Sequence, residues 1–125
     1  MSKKVQKDDT KSIVKNVVLA MQEKKANNIV SLDLTSIPNA VTSYFIICHA
    51  SSKPQVDAIF DNIMEQVRIN CGTKPVNREG YENSEWILID YFDVVAHVFL
   101  EDIRTFYQLE SLWADAKVKK HDSDE

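Results

Sequence analysis

Residues Glu85–Phe99 read EWILIDYFDVVAHVF, and they tell more about the protein than any other part of the chain. Its β-branched and aromatic residues form two runs of strand length, and Asp90 and Asp93 flank the bend between them. We therefore predict a β-hairpin. Because the hairpin is aromatic and carries few charges, we expect it to form an exposed docking edge for another protein.

Alternation along the first strand places successive side chains on opposite faces. Ile87 and Ile89 are expected to face the core. The opposite face carries the candidate binding residues, which are Trp86, Leu88 and Asp90, with Tyr91 at the tip. Alternation alone leaves Trp86 open to two interpretations, a core residue or an anchor for a partner.

The second strand contains a single histidine, His97, which shares a face with Val95 and Phe99. His97 would serve as a general base only with a nucleophile nearby, and the sequence places none beside it. A ring packed in the strand, with its nitrogens satisfied by neighbours, is the simpler interpretation. On that face, His97 would also be able to touch a partner.

Two amphipathic helices are predicted before the hairpin. In Lys11–Lys25, apolar residues recur at helical spacing. The second helix begins at a capping box, Ser52–Gln55, and Gly72 supplies a left-handed stop. Its apolar stripe consists of Val56, Ile59, Phe60, Ile63 and Val67.

The remaining segments predict three strands, a loop and a closing helix. Ile29–Leu34 alternates as a half-buried strand, and the apolar run Tyr44–Cys48 predicts a strand covered on both faces. Thr73–Val76, with its proline, predicts a short edge strand. The other segments are a loop at Asn77–Ser84 and a helical or broken-helical segment at Asp102–Ala116, whose Trp113 is expected to pack on the core.

This order of elements predicts an α/β domain in which a single mixed β-sheet of about five strands is covered by helices. A chain of 125 residues forms one domain of this size. We place the domain at residues 10–116. Residues 1–9 and 117–125 are polar and charged, and we expect solvated, disordered tails there.

Composition restricts the kinds of partner and the location that we expect for the chain. The net charge of −4 disfavours a sequence-independent DNA or RNA binder, although it does not exclude a local basic face. No apolar run is long enough for a membrane span or a signal peptide, so we expect a cytoplasmic protein. Cys48 and Cys71 are expected to be reduced thiols, with Cys48 a small core residue.

Asp90 and Asp93 are the nearest approach to a carboxylate pair for magnesium and nucleotide chemistry. At the mouth of a hairpin, aspartates more often accept hydrogen bonds from turn amides. The chain has two glycines and no glycine-rich phosphate loop, and His49 and His121 have no ligand spacing. We therefore expect no catalytic residue, metal, cofactor or small-molecule substrate.

The hairpin, followed by RTFYQLESLWADA at residues 104–116, resembles the Iojap-like ribosomal silencing factors. The resemblance also includes YFIIC at residues 44–48, Ser51-Ser52 with Gln55-Val56, and Glu79-Gly80-Tyr81 before Trp86. It covers about residues 10–116 in one uninterrupted order.

The resemblance implies a protein that binds the large ribosomal subunit through ribosomal protein fourteen, on the face that the small subunit would join. Such binding blocks an intersubunit bridge and lowers translation when nutrients are short, without catalytic turnover. The resemblance also implies a nucleotidyltransferase-like topology and, for several members, a homodimer. The family's contacts correspond to Trp86, Asp90 and Tyr91. The full predicted partner-binding set is Trp86, Leu88, Asp90, Tyr91, Phe92 and His97.

Two residues depart from the family pattern. Phe92 stands where many relatives have glycine, and Ala96 stands where they usually have a β-branched residue. Phenylalanine at positive φ carries a strain that glycine avoids, so the turn type is open.

Two alternatives also remain, a nucleotidyltransferase-like enzyme and a homodimeric scaffold without a ribosomal partner. Under the ribosomal interpretation, we expect Trp86→Ala or Tyr91→Ala to weaken partner binding by about 2 kcal/mol without unfolding the domain.

Overall fold

The computed structural model describes residues 7–107 and 116–121, in which three helices pack on a six-stranded sheet. In chain order the elements are α1 (Lys7–Glu23), β1 (Asn27–Asp33), β2 (Tyr44–Ala50), α2 (Lys53–Cys71), β3 (Asn77–Glu79), β4 (Trp86–Asp90), β5 (Val94–Leu100), α3 (Glu101–Tyr107) and β6 (Lys117–His121). The predicted order of helices and strands is confirmed up to α3, and β6 adds to it.

The sheet has the strand order β3-β4-β5-β2-β1-β6. β2 and β5 pair in parallel, with Tyr44 opposite Val94, and the other neighbouring strands pair antiparallel. The α/β class and the single mixed sheet are therefore confirmed, with six strands in the described residues instead of about five. The expectation of an exposed docking edge is wrong, because β3 pairs with the outer side of β4 and β2 pairs with β5.

Two apolar clusters lie on opposite faces of the sheet and divide the alternate residues of β5 between them. α1 and α2 cover the face that carries Ile87, Ile89 and Val94. The second face carries Val30, Leu32, Leu34, Phe45, Ile47, Val95 and Phe99, with Ala116 packed on them. The predicted inward orientation of Ile87 and Ile89 is confirmed.

Helix α2 begins and ends where the sequence predicts. The Ser52 hydroxyl accepts a hydrogen bond from the backbone N–H of Gln55 at 3.3 Å, and Gly72 ends the helix with φ 63°. The side-chain amide of Gln55 donates to the carbonyls of Lys24 and Lys25, at 3.2 Å each, and thereby ties the start of α2 to the turn after α1.

Four segments differ from the predictions. The short edge strand lies at Asn77–Glu79, where the sequence predicts a loop. β1 is buried on both faces instead of one, because Ile29 and Ser31 are covered as well as Val30 and Leu32. Lys117–His121 forms a strand paired with β1, where the sequence predicts a solvated tail. α1 starts at Lys7, inside the predicted N-terminal tail.

The predicted closing helix is present as α3 at Glu101–Tyr107, and Trp113 lies outside the described residues. Cys48 is a free, fully buried thiol, as predicted, and burial raises its pKa to about 12. None of the helices in residues 7–107 and 116–121 combines the length and the apolar character that crossing a bilayer requires.

Candidate partner-binding surface

Trp86 begins β4 and is half-buried, so it is neither sealed in the core nor fully exposed. Its ring stacks on Phe99, the residue opposite it in β5, with ring centroids 4.9 Å apart. Its indole Nε1 donates a hydrogen bond to Nδ1 of His97 at 3.0 Å. β5 therefore holds the indole in one orientation, and the half-buried ring is compatible both with a core residue and with an anchor.

His97 lies beneath Trp86, and only 4% of its surface is exposed. Because an indole N–H can only donate, Nδ1 of His97 accepts, and the neutral ring carries its proton on Nε2. Burial lowers the pKa of His97 to about 4, which keeps the ring neutral near pH 7. The packed ring is confirmed, with Nδ1 bonded and Nε2 without a hydrogen bond among the described residues. The prediction that His97 touches a partner is wrong, because the ring is covered.

Tyr91 is 3% exposed and belongs to the cluster beneath α1 and α2. Burial raises the pKa of its hydroxyl, which makes no hydrogen bond within the described residues. The expectation that Tyr91 stands exposed at the hairpin tip is therefore wrong, and the burial of its ring argues against the expectation that Tyr91→Ala leaves the domain folded. Tyr91 continues the inward alternation of Ile87 and Ile89, and that period of two was the signal that could have placed it.

Leu88 and Asp90 lie on the same face of β4 as Trp86 and are half-buried. Leu88 packs against the second cluster and lies opposite His97 in β5. Successive residues on one face of a strand are about 7 Å apart. The three side chains thus form a row about 13 Å long.

The two turn carboxylates are engaged by the chain itself. Asp90 Oδ1 accepts a hydrogen bond from the backbone N–H of Phe92 at 2.7 Å, which confirms the prediction for this aspartate. Asp93 Oδ2 instead accepts from the hydroxyl of Thr10, in α1, at 3.3 Å. In the part of the chain that the structure describes, no group of three or more His, Cys, Asp or Glu residues is placed to hold a metal ion.

Phe92 occupies the left-handed backbone region with φ 78°, and 67% of its surface is exposed. The backbone N–H of Asp93 donates to the carbonyl of Tyr91 at 3.0 Å, which closes a tight turn across Phe92. A side chain other than glycine carries about 1–2 kcal/mol of strain at such a φ. A strained, exposed aromatic residue is a candidate for a functional contact.

The loop between β1 and β2 lies against this turn. The hydroxyl of Thr42 donates to the carbonyl of Phe92 at 2.9 Å, and the backbone N–H of Ser43 donates to the carbonyl of Asp93 at 3.1 Å. Val41, which is 77% exposed, lines a cleft of about 290 Å³ together with Phe92. Sequence reasoning missed Val41, because only the long-range pairing of β2 with β5 brings its loop to the hairpin.

The structure therefore brings together part of the predicted partner-binding set. We define the contact surface as Trp86, Leu88, Asp90, Phe92 and Val41. Tyr91 and His97 lie below it and support it from the two sides of the sheet.

Comparisons with known proteins cover most of the chain. Residues 7–125 match a family model described as "RsfS: Ribosomal silencing factor during starvation". A Bacillus subtilis (strain 168) protein named "Ribosomal silencing factor RsfS" is 43% identical over 106 residues, which are 85% of this chain and 88% of that protein. The Arabidopsis thaliana "Protein Iojap, chloroplastic" is 43% identical over 75 residues, or 60% of this chain and 31% of that protein. A crystal structure of a Chromobacterium violaceum protein matches with a TM-score of 0.78 at 32% identity, covering 84% of this chain and 86% of the other.

Proposed function

The chain belongs to the family of ribosomal silencing factors, and we propose that it binds the large ribosomal subunit through ribosomal protein fourteen and blocks joining of the small subunit. Membership gives it a ribosome-associated role in repressing translation. The proposed mode of repression is steric. It requires a rigid protein surface and no catalytic turnover.

The observation that carries this proposal is the fixed orientation of Trp86 on β4. The hydrogen bond to His97 and the stacking on Phe99 already restrict the indole before any partner arrives. An aromatic anchor that is ordered in advance loses less conformational entropy on binding, so more of its burial energy contributes to affinity.

The electrostatic balance supports a protein partner over bare ribosomal RNA at the contact surface. Asp90 lies in this surface, and the whole chain carries a net charge of −4. Phosphate would be repelled there, whereas a basic ribosomal protein would be attracted. Protein contact is therefore the favoured way for this surface to reach the ribosome.

Sedimentation of separated ribosomal subunits tests the proposal. The purified protein should reduce the fraction of joined ribosomes, and Trp86→Ala should weaken this effect while circular dichroism remains that of a folded protein. Ile69→Ala is the matched control, because Ile69 is an exposed apolar residue on α2, away from the contact surface. An unchanged fraction of joined ribosomes with the unaltered protein would refute steric blocking. Nucleotide turnover in the same mixture would favour the enzyme alternative.

The proposal extends to assembly, location and domain limits. We propose a cytoplasmic homodimer, which analytical ultracentrifugation of the purified chain would reveal as twice the 14.3 kDa mass. We also propose that the working domain extends from the start of α1 past residue 116 to include β6, because β6 pairs along β1.

A further inference from the structure

A groove of about 610 Å³ lies between the C-terminal half of α2 and β3, at the edge of the sheet opposite β6. We call it the basic groove. Its three cationic residues, Arg68, Lys74 and Arg78, are all exposed. Its remaining lining is Met64, Thr73, Pro75, Val76, Asn77 and Tyr81. Positive charge and apolar surface thus occur together.

An aromatic stack positions one of these cations. The ring of Tyr81 lies parallel to that of Phe60 on α2, with centroids 5.9 Å apart, and the guanidinium carbon of Arg78 lies 5.2 Å from the centre of the Tyr81 ring. Tyr81 remains 42% exposed. A planar guanidinium held in this way can donate two hydrogen bonds to one phosphate, and an arginine side chain can also stack on a base.

The charged neighbours of the three cations bear on what the groove attracts. Across residues 7–107 and 116–121, no carboxylate forms an ion pair with Arg68, Lys74 or Arg78. Glu79, the neighbour of Arg78, accepts a hydrogen bond at 2.8 Å from the side-chain amide of Asn77, which lines the groove, so its carboxylate contacts an amide and none of the three cations. The groove thus carries three cationic residues without an ion-paired carboxylate among the described residues, although the net charge of the chain is −4, and local charges govern short-range contacts.

We propose that the basic groove binds the phosphate backbone of a single-stranded RNA segment. Three cations match about three successive phosphates, and Tyr81 with the apolar lining offers a surface for bases or riboses. The choice of RNA over another polyanion rests on the proposed ribosomal function. The groove lies at the β3 edge of the sheet. Arg78 pairs with Ile89 of β4 and lies on the same face of the sheet as this inward-facing residue. Trp86, Leu88 and Asp90 of the contact surface lie on the opposite face.

Fluorescence anisotropy with a labelled uridine hexanucleotide tests the proposal on the full chain. With three phosphate contacts, the logarithm of the binding constant should fall against the logarithm of salt concentration with a slope of about −2. The double variant Arg68→Gln/Lys74→Gln should bind at least about tenfold more weakly at low salt, with a slope near −0.7. Both residues are exposed, so these substitutions leave the core untouched.

The matched control is Lys119→Gln/Lys120→Gln in β6, which removes the same charge at the opposite edge of the sheet and should leave the slope near −2. Equal losses in the two double variants would overturn the proposal, because only net charge would then matter. Equally tight binding of a hexaglutamate peptide would also overturn it. Absence of RNA binding together with intact binding of ribosomal protein fourteen would refute the groove alone, and the reverse result would refute the proposed function alone.

Discussion

The indole of Trp86 and the imidazole of His97 are joined across β4 and β5 by a 3.0 Å hydrogen bond in which the indole donates. This bond couples a residue of the contact surface to a buried group that can titrate. Protonation of His97 Nδ1 would remove the only acceptor that this bond uses. The orientation of Trp86 therefore depends on a neutral His97.

Acid should destabilise the fold through His97. Its pKa is about 4 in the folded chain and about 6.5 when unfolded, so the unfolded state binds more protons between these values. The contribution of the neutral ring to stability is fully present above pH 6.5 and is lost as the pH falls through 4, by roughly 3 kcal/mol. Urea unfolding at several pH values measures this loss. His97→Gln, which keeps an acceptor for the indole, should show a shallower pH dependence, and an identical dependence would contradict the assignment.

Removal of the Tyr91 hydroxyl should be tolerated, whereas removal of the ring should not. The buried hydroxyl has no hydrogen-bond partner among the described residues, so Tyr91→Phe should change the free energy of unfolding by less than about 1 kcal/mol, or raise it. Tyr91→Ala leaves a cavity in the core and should lower it by about 3–5 kcal/mol. Chemical denaturation of both variants checks this. A loss above about 2 kcal/mol in Tyr91→Phe would reveal a bond to the hydroxyl.

The two glycines should respond very differently to alanine. Gly72, with φ 63°, has open space where a Cβ would stand, so Gly72→Ala should cost about 1–2 kcal/mol of backbone strain alone. At Gly80, with φ 82°, a Cβ would overlap the backbone carbonyl oxygen of Trp86, so Gly80→Ala should cost about 3 kcal/mol or more. Thermal unfolding of the two variants measures the difference between them, and similar melting temperatures would argue against the close approach of Gly80 to β4.

Phe92→Gly should stabilise the fold and weaken partner binding. Relief of the strain at φ 78° exceeds the greater flexibility of glycine in the unfolded chain, so we expect a gain of about 1 kcal/mol. Loss of the exposed ring should lower the affinity for ribosomal protein fourteen. Lys25→Gly is the control, because Lys25 is also exposed and has φ 58° but lies after α1. A loss of affinity in both variants would show that the Phe92 ring is not the cause of the loss.

The elements with strong local signals were predictable from the sequence. β4 and β5 consist of β-branched and aromatic residues, and α2 has Ser52 before it and Gly72 after it. β3 was predicted too early in the chain, at Thr73–Val76, and β6 was missed, because NRE and KVKKH are polar edge strands without an apolar alternation. Such strands form because a neighbouring strand offers free hydrogen-bonding groups, which a local pattern does not reveal.

The candidate site was predictable in part. Alternation placed Trp86 and Leu88 correctly on one face, because a strand alternates regardless of its neighbours. The burial of His97 depends on the long-range parallel pairing of β5 with β2, which no local pattern specifies. The sequence left the turn type open at Phe92, and the structure gives this residue a positive φ of 78°.

The lysine-bearing strand β6 has a consequence for strand pairing between the edges of neighbouring molecules. β1 carries Ile29, Val30 and Leu32, and β6 occupies the hydrogen-bonding groups along its outer side. β6 then presents positive charge to any approaching strand, through Lys117, Lys119 and Lys120. Without β6, the outer side of β1 would be an unpaired edge of an apolar strand, and we expect such chains to aggregate by pairing edge to edge. We therefore expect that this short basic segment, which sequence patterns do not predict as a strand, keeps the chain soluble by limiting edge-to-edge aggregation.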